Sequence, residues 1–305
     1  MKKIAVLMGG LSAEREVSIV TGNAIIASLK RQGYNPIPID PTRDLAKTLY
    51  DIRPDVVFNG LHGTYGEDGA IQGILELMGI PYTHSGITAS AIAMDKSKTK
   101  SLLKQYGVKS AKEVIFTYEE LHELYNKGQE PMERPFVIKP LSEGSSVGVV
   151  IVRGENDVWF HHNKWKANSK LLVEEYIAGQ ELSVAIFNNK ALGVLELRPK
   201  QGFYDYKAKY TEGMTDHIYP AEVEKRVYDL AMQWAEKAHN ILGCKTVSRS
   251  DFRYNSREEE GLYFLEINTH PGFTPLSIVP EIASYHGISF DELVKKILED
   301  ASCEL

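Results

Sequence analysis

Through its first 95 residues the chain alternates short, unbroken apolar runs with stretches of helical period, and that alternation leaves few folds open to it. Residues 4–8 are apolar throughout, as expected of a parallel strand buried on both faces. Gly9-Gly10 breaks the run, and a helix is predicted over 18–32 with Gly33 at its C′ position. Apolar runs return at 36–39 and Val56–Asn59, and Ala70–Met78 keeps a helical period up to Gly79. Strands and helices in this order predict an α/β fold that opens on a doubly wound, Rossmann-like domain.

The pattern changes after residue 95. A Lys-rich helix is predicted over 96–106, closed by Gly107, and Thr117 with Glu120 has the spacing of a capping box. A polar connection at 128–134 leads to strands over 136–139 and 147–153, joined by a Gly/Ser loop, and to another over 171–177. Strands at 182–187 and 191–197 precede a polar, aromatic stretch over 201–219. Pro220 then introduces an amphipathic helix with Val223, Val227, Leu230, Ala231, Trp234 and Ala238 on one stripe, ended by Gly243. Strands follow at 246–252 and Leu262–Asn268, and Ser289 with Glu292 caps a last helix. The expected division is 1–95, 96–180 and 181–305, which 305 residues can support.

Composition excludes several classes of function. Hydrophobic residues make up 43% and charged residues 25%, the balance of a soluble globular chain. A net charge of −6 argues against a broad nucleic-acid surface, which needs clustered Lys and Arg. Cys244 and Cys303 stand far apart with no zinc-type spacing, which fits reduced thiols in a reducing compartment. The apolar run after Lys3 is too short for a secretion signal, and no stretch approaches the ~20 apolar residues of a membrane span. A cytoplasmic protein without membrane partners is expected.

The densest chemistry lies on the strands at 246–252 and Leu262–Asn268. Side chains two apart on a strand share a face, so Glu266 points with Asn268, and Arg249 with Asp251. If the strands pair, these oxygen ligands and one guanidinium converge. Oxygen donors without Cys or His suit Mg²⁺ rather than zinc. Alone, the E-x-N pair reads at least as well as a strand end that starts a turn as it does as a metal site. Thr269-His270-Pro271-Gly272 follows at once and can fix a loop over such a site.

Lys139-Pro140-Leu141-Ser142-Glu143-Gly144-Ser145-Ser146-Val147-Gly148 sits between two predicted strands and does not match the Walker pattern. Its glycines let backbone N–H groups approach phosphate oxygens, and its serines add donors. Lys139 can reach a phosphate as a point charge. An ordinary Gly/Ser hairpin with an exposed lysine is the plain alternative. Glu174-Glu175-Tyr176-Ile177 reads either as a strand end or as a hinge offering backbone groups to an adenine.

These pieces occur in order with others. They are Gly9-Gly10-Leu11-Ser12-Ala13-Glu14-Arg15-Glu16-Val17-Ser18, His62-Gly63-Thr64-Tyr65-Gly66-Glu67-Asp68-Gly69, Met94-Asp95-Lys96 and Phe203-Tyr204-Asp205-Tyr206-Lys207-Ala208-Lys209-Tyr210. With them, residues 3–298 resemble the D-alanine–D-alanine ligase family of the ATP-grasp superfamily. The resemblance implies an ATP-grasp fold behind the N-terminal domain, and a role for each matching residue. Glu14 would hold the ammonium of the first D-alanine beside His62, with Ser145 and Tyr210 closing the site. Lys96, Lys139, Ser146 and Lys209 would bind ATP phosphates. Glu174, Tyr176 and Ile177 would surround the adenine, and Glu181 the ribose. Asp251, Glu266 and Asn268 would bind a pair of Mg²⁺ ions, with Mn²⁺ an acceptable replacement. Arg249 and the Gly272 backbone would stabilise the tetrahedral intermediate, and Ser277 and Ile278 would contact the second D-alanine. A homodimer is the family expectation.

The reaction so implied is ATP-dependent formation of D-alanyl-D-alanine through a D-alanyl phosphate, for peptidoglycan precursor synthesis. The 201–219 stretch would close over the acyl phosphate. Competing readings are a D-alanine–D-lactate ligase, another ATP-grasp carboxylate–amine ligase, and a non-catalytic nucleotide-binding regulator. The sequence departs from the family pattern at Ser250, His270, Phe273 and Pro275. Ser250 should face away from the site, and the others flank the second D-alanine pocket.

Overall fold

The computed structural model describes residues 2–142, 144, 148–161, 164–200 and 213–304. The predicted alternation opens the fold. Strands β1 (Ile4–Leu7), β2 (Ile37–Ile39) and β3 (Val56–Asn59) form a parallel sheet in the order β2-β1-β3. Both β1 and β3 are buried along their whole length, which is why β1 is apolar throughout and β3 is apolar up to its last residue, Asn59. Helix α1 (Arg15–Arg31) starts three residues before the predicted position, with Glu16 in its first turn and Lys30 and Arg31 in its last, each placed to suit the helix dipole. Helices α2 (Leu45–Ile52) and α4 (Ile87–Met94) were not predicted from the sequence. Each is eight residues long, too short for a clear period. Between them α3 (Ala70–Met78) has the predicted bounds.

Helix α5 (Lys96–Lys104) is capped by Asp95, whose carboxylate accepts from Lys98 N at 3.0 Å. A second, antiparallel sheet follows, in the order β4 (Glu113–Thr117), β7 (Lys170–Glu175), β5 (Phe136–Pro140), β6 (Val150–Val152). Helix α6 (Tyr118–Asn126) starts at Thr117 with the predicted capping box. The strands β5 and β6 are neighbours, so the Gly/Ser segment joins an antiparallel pair as expected.

The third sheet is antiparallel in the order β10 (Thr215–Ile218), β9 (Lys190–Pro199), β8 (Gln180–Phe187), β11 (Val247–Tyr254), β12 (Leu262–Asn268). The long helix α7 (Lys225–Leu242) begins five residues after Pro220 rather than beside it, and ends at Gly243, whose φ of 72° is a left-handed cap. Helices α8 (Ile278–Tyr285) and α9 (Phe290–Glu299) complete the chain, α9 with its Ser289–Glu292 capping box.

The third sheet is covered on both faces. Leu182, Val184, Ile186, Phe252 and Phe264 pack under α7 and also meet Ala89, Ala93 and Leu103 of α4 and α5. Ala185, Phe187, Leu195 and Val247 pack against α8 and α9, in one core with Ile4, Val6, Ile25, Val56 and Phe58 of the first sheet. The first and third sheets therefore share a hydrophobic core, which fixes the loops at their ends relative to one another. Among the described residues no helix is long and apolar enough to cross a membrane.

Candidate active site

The site grows from the β11–β12 pair. Its antiparallel register sets Arg249 opposite Asn268, Ser250 opposite Ile267 and Asp251 opposite Glu266. Arg249, Asp251, Glu266 and Asn268 therefore share one face, and Ser250 points to the other. There Ser250 is fully buried, and its Oγ has no hydrogen-bond partner among the described residues.

The shared face is dense in charge. Arg249 forks onto Asp251, Nε reaching Oδ1 at 2.9 Å and a terminal nitrogen reaching Oδ2 at 2.8 Å. Ser183 Oγ donates to Asp251 Oδ1 at 2.6 Å from the neighbouring strand β8. Lys96, at the start of α5, brings its Nζ to 3.4 Å from Glu266 Oε2. Asn268 Oδ1 accepts from His270 N at 2.8 Å, which shapes the turn that follows.

In front of this face a cleft of about 440 Å³ lies between the second and third sheets, with Lys96, Lys139, Glu174, Glu181, Asp251 and Glu266 in its wall. Lys139 Nζ sits 2.5 Å from Glu174 Oε1. Glu174 Oε2 is held by Lys100, which also contacts Glu113 at 2.9 Å. Burial alone would push the Glu174 carboxyl up, but Lys100 and Lys139 outweigh it and hold it at about 2. Burial lowers the Lys139 ammonium, against the pull of Glu174. The Glu174 side chain is thus the counter-ion of two lysines, a partnership the sequence left unseen.

At the far end of the cleft the Arg153 guanidinium stands 4.8 Å over the Tyr176 ring. Arg253 ties this end together: it donates to the carbonyls of Ile177 at 3.1 Å and Gly179 at 2.7 Å, and lies 3.3 Å from Glu181 Oε2. Arg253 was missed in the sequence. It continues the alternation Arg249, Asp251, Arg253 along β11, and that spacing was the available signal.

The opposite end is built on the first sheet. Glu14 precedes α1 and is buried. A methyl added to Gly144 would lie 2.6 Å from Glu14 Oε1, and one on Gly63 2.9 Å from it, so two loops need glycine to close around this carboxylate. His62 is buried between Glu67, 2.9 Å from Nδ1, and Thr21, 2.8 Å from Nε2. Burial raises the Glu67 carboxyl, with His62 opposing. Gly272 lies close to Ser277, whose Oγ accepts from Thr274 N at 3.0 Å. Ile278 is part of the core shared by the first and third sheets. Ser145, Ser146, Lys209 and Tyr210 lie outside the described residues.

Among the described residues no group of three His, Cys, Asp or Glu converges as a metal site. The set formed by Asp251, Glu266 and Asn268 has two carboxylates and an amide. Such a sparse oxygen set fits a hard cation that keeps waters and shares phosphate ligands, as Mg²⁺ does.

Comparison with known proteins bears on the same residues. Residues 102–299 match the family described as "D-ala D-ala ligase C-terminus", and residues 3–48 and 43–85 match "D-ala D-ala ligase N-terminus". A D-alanine–D-alanine ligase of Rhizorhabdus wittichii is 50% identical over 98% of this chain and 96% of its own length. A D-alanine–D-alanine ligase of Bacillus anthracis, solved in complex with ATP, is 30% identical with a TM-score of 0.78, over 98% of this chain and 97% of that one. The VanG D-Ala:D-Ser ligase of Enterococcus faecalis is 28% identical with a TM-score of 0.78, over 98% of both chains. The chain belongs to the D-alanine–D-alanine ligase family.

Proposed function

We propose that the chain joins two molecules of D-alanine into D-alanyl-D-alanine, converting ATP to ADP and phosphate, as a step in making peptidoglycan precursors. The observation that carries this reading is the single face shared by Arg249, Asp251, Glu266 and Asn268, which opens on a cleft containing Lys96 and Lys139. Family membership supplies the substrate.

ATP occupies the cleft, its adenine by Tyr176 and Ile177 and its ribose by Glu181. Lys96 and Lys139 bind its phosphates. Asp251, Glu266 and Asn268 would hold Mg²⁺, which would supply charge neutralisation on the phosphate oxygens. Glu14 binds the ammonium of the first D-alanine, beside His62, and so aims its carboxylate at the γ-phosphorus. Attack by that carboxylate breaks the bond from the γ-phosphorus to the ADP oxygen and forms an acyl phosphate. The amine of the second D-alanine, placed by Ser277 and Ile278, then attacks the acyl carbon. Arg249 and the Gly272 N–H stabilise the oxyanion of the tetrahedral intermediate. The C–O bond to phosphate breaks, the amine loses its proton, and the amide remains. Residues 1–95, 96–180 and 181–305 act as substrate, nucleotide and combined metal and substrate domains, in a cytoplasmic homodimer.

Phosphate release, measured with ATP and Mg²⁺ and with D-alanine, L-alanine, D-alanine plus D-lactate, or D-alanine plus D-serine, tests the reading. Release with D-alanine alone, and D-alanyl-D-alanine as product, is expected. No D-alanine-dependent release would overturn it.

A further inference from the structure

Asn59 ends β3 with its side chain buried at 1% exposure. Its amide nitrogen donates to Gly66 O at 2.9 Å and contacts His270 Nε2 at 3.1 Å. Its Oδ1 accepts from Leu61 N at 3.2 Å. One amide therefore holds two loops. The first, 61–67, carries His62 and Glu67, and the second, 268–272, carries Asn268 and Gly272. These loops follow strands of the first and third sheets, and the contact between Asn59 and His270 spans 211 residues.

His270 is gripped on its other side as well. Its ring lies on that of His84, centroids 4.3 Å apart, and His84 Nδ1 meets Thr83 Oγ1 at 2.9 Å. The same Thr83 oxygen accepts from Asn59 N at 3.0 Å, which closes the network. With both amide hydrogens of Asn59 engaged, His270 Nε2 is the acceptor and its ring proton sits on Nδ1. The ligase reading assigns none of these side chains a contact with substrate. Together they determine where the second loop sits relative to the first.

We propose that Asn59 and His270 are positioning residues that register the Asn268–Gly272 turn against the loop bearing His62, so that the oxyanion donor and the first D-alanine meet in reacting geometry. The inference rests on the ligase reading above. Acyl transfer is sensitive to sub-ångström placement, and these two groups are assembled from separate sheets. The pair acts on the Asn268–Gly272 turn and leaves the adenine end and Lys139 of the nucleotide cleft in place, because Lys139, Glu174 and Arg253 are held by other contacts.

The test uses the full chain with His270→Ala, His270→Gln, Asn59→Ala and the Asn59→Ala/His270→Ala double variant. Three quantities are measured: steady-state D-alanyl-D-alanine formation, calorimetric binding of a non-hydrolysable ATP analogue without metal, and Tm. His270→Ala should lower kcat/KM for D-alanine by about tenfold or more, with nucleotide Kd within about twofold. His270→Gln should recover most of the loss, since its side-chain oxygen can accept from Asn59. The double variant should be no worse than the poorer single one, because both remove the same contact. Unchanged kinetics in His270→Ala overturns the proposal. So does an equal fall in D-alanine kinetics, nucleotide binding and Tm, or strictly additive single effects. A wild-type chain inactive on D-alanine would overturn the ligase reading, and this proposal with it.

Discussion

Glu266 and Ser250 show two ways a polar side chain is tied to one strand pair. Glu266 faces the cleft opposite Asp251, in a set that also holds Lys96. Glu266→Gln keeps the shape and removes the charge. It should reduce turnover by at least about a hundredfold with Tm nearly unchanged, and activity near wild type would mean the metal assignment is wrong. Ser250 lies one residue along β11 and faces the core, where its hydroxyl has no partner among the described residues. An unpaired buried hydroxyl costs roughly 1 kcal/mol or more. Ser250→Ala should therefore leave stability unchanged or raise it by about that amount, with kcat/KM intact, as read by denaturant unfolding and steady-state assay. The alternation of side chains along a strand made both outcomes readable before any coordinates. The second partner of Glu174 was not readable, because Lys100 stands 74 residues away and only folding brings them together.

Elements bring a second class of consequence. The segment after β5 passes so close to the N-terminus of α1 that Gly144 abuts Glu14. Gly144→Ala should raise KM for D-alanine severalfold while leaving nucleotide affinity near wild type, since a methyl there meets the Glu14 carboxylate and not the cleft's lysines. Equal damage to both would refute this. Helix α9 depends on its cap: Ser289 Oγ accepts from Glu292 N at 3.2 Å, and Glu292 Oε2 accepts from Ser289 N at 2.7 Å. Ser289→Ala should cost about 1 kcal/mol and lower Tm by roughly 2 °C, without altering KM for either substrate. Both capping boxes, and the helix ends at Gly79 and Gly243, were legible because they depend on residues a few positions apart. Helices α2 and α4 were not, because eight residues hold barely two turns of pattern.

For the molecule as a whole, buried histidines link stability to pH. Burial lowers His239 to about 4 and His84 to about 3, and holds His270 well below 6.5. In the unfolded chain each takes up a proton near pH 6.5, so below that pH the unfolded state binds more protons than the folded one. Their contribution is complete above 6.5 and is lost as pH falls toward 4. Unfolding free energies from urea denaturation should accordingly drop between pH 7.5 and 5.0, by roughly 2 kcal/mol for a histidine held near 4. His239→Gln, which replaces a side chain bonded to Ser248 and Asn189 and outside the cleft, should flatten that drop. A drop of wild-type size in the variant would rule out His239 as a source.

By itself the sequence determined the elements that depend on near neighbours. Apolar runs made β1 and β3, side-chain alternation put Glu266 with Asn268 and Arg249 with Asp251, and caps ended the longer helices. The ordered motifs also determined the family, because each is a local string. Tertiary structure alone decided which partners those residues meet. The pairing of β11 with β12 brought the two halves of the proposed metal set onto one face. The core common to the first and third sheets carried His270 to Asn59. A strand's period depends only on its own backbone geometry. Contacts across 211 residues depend instead on how the apolar faces of separate sheets pack, and no local pattern encodes that.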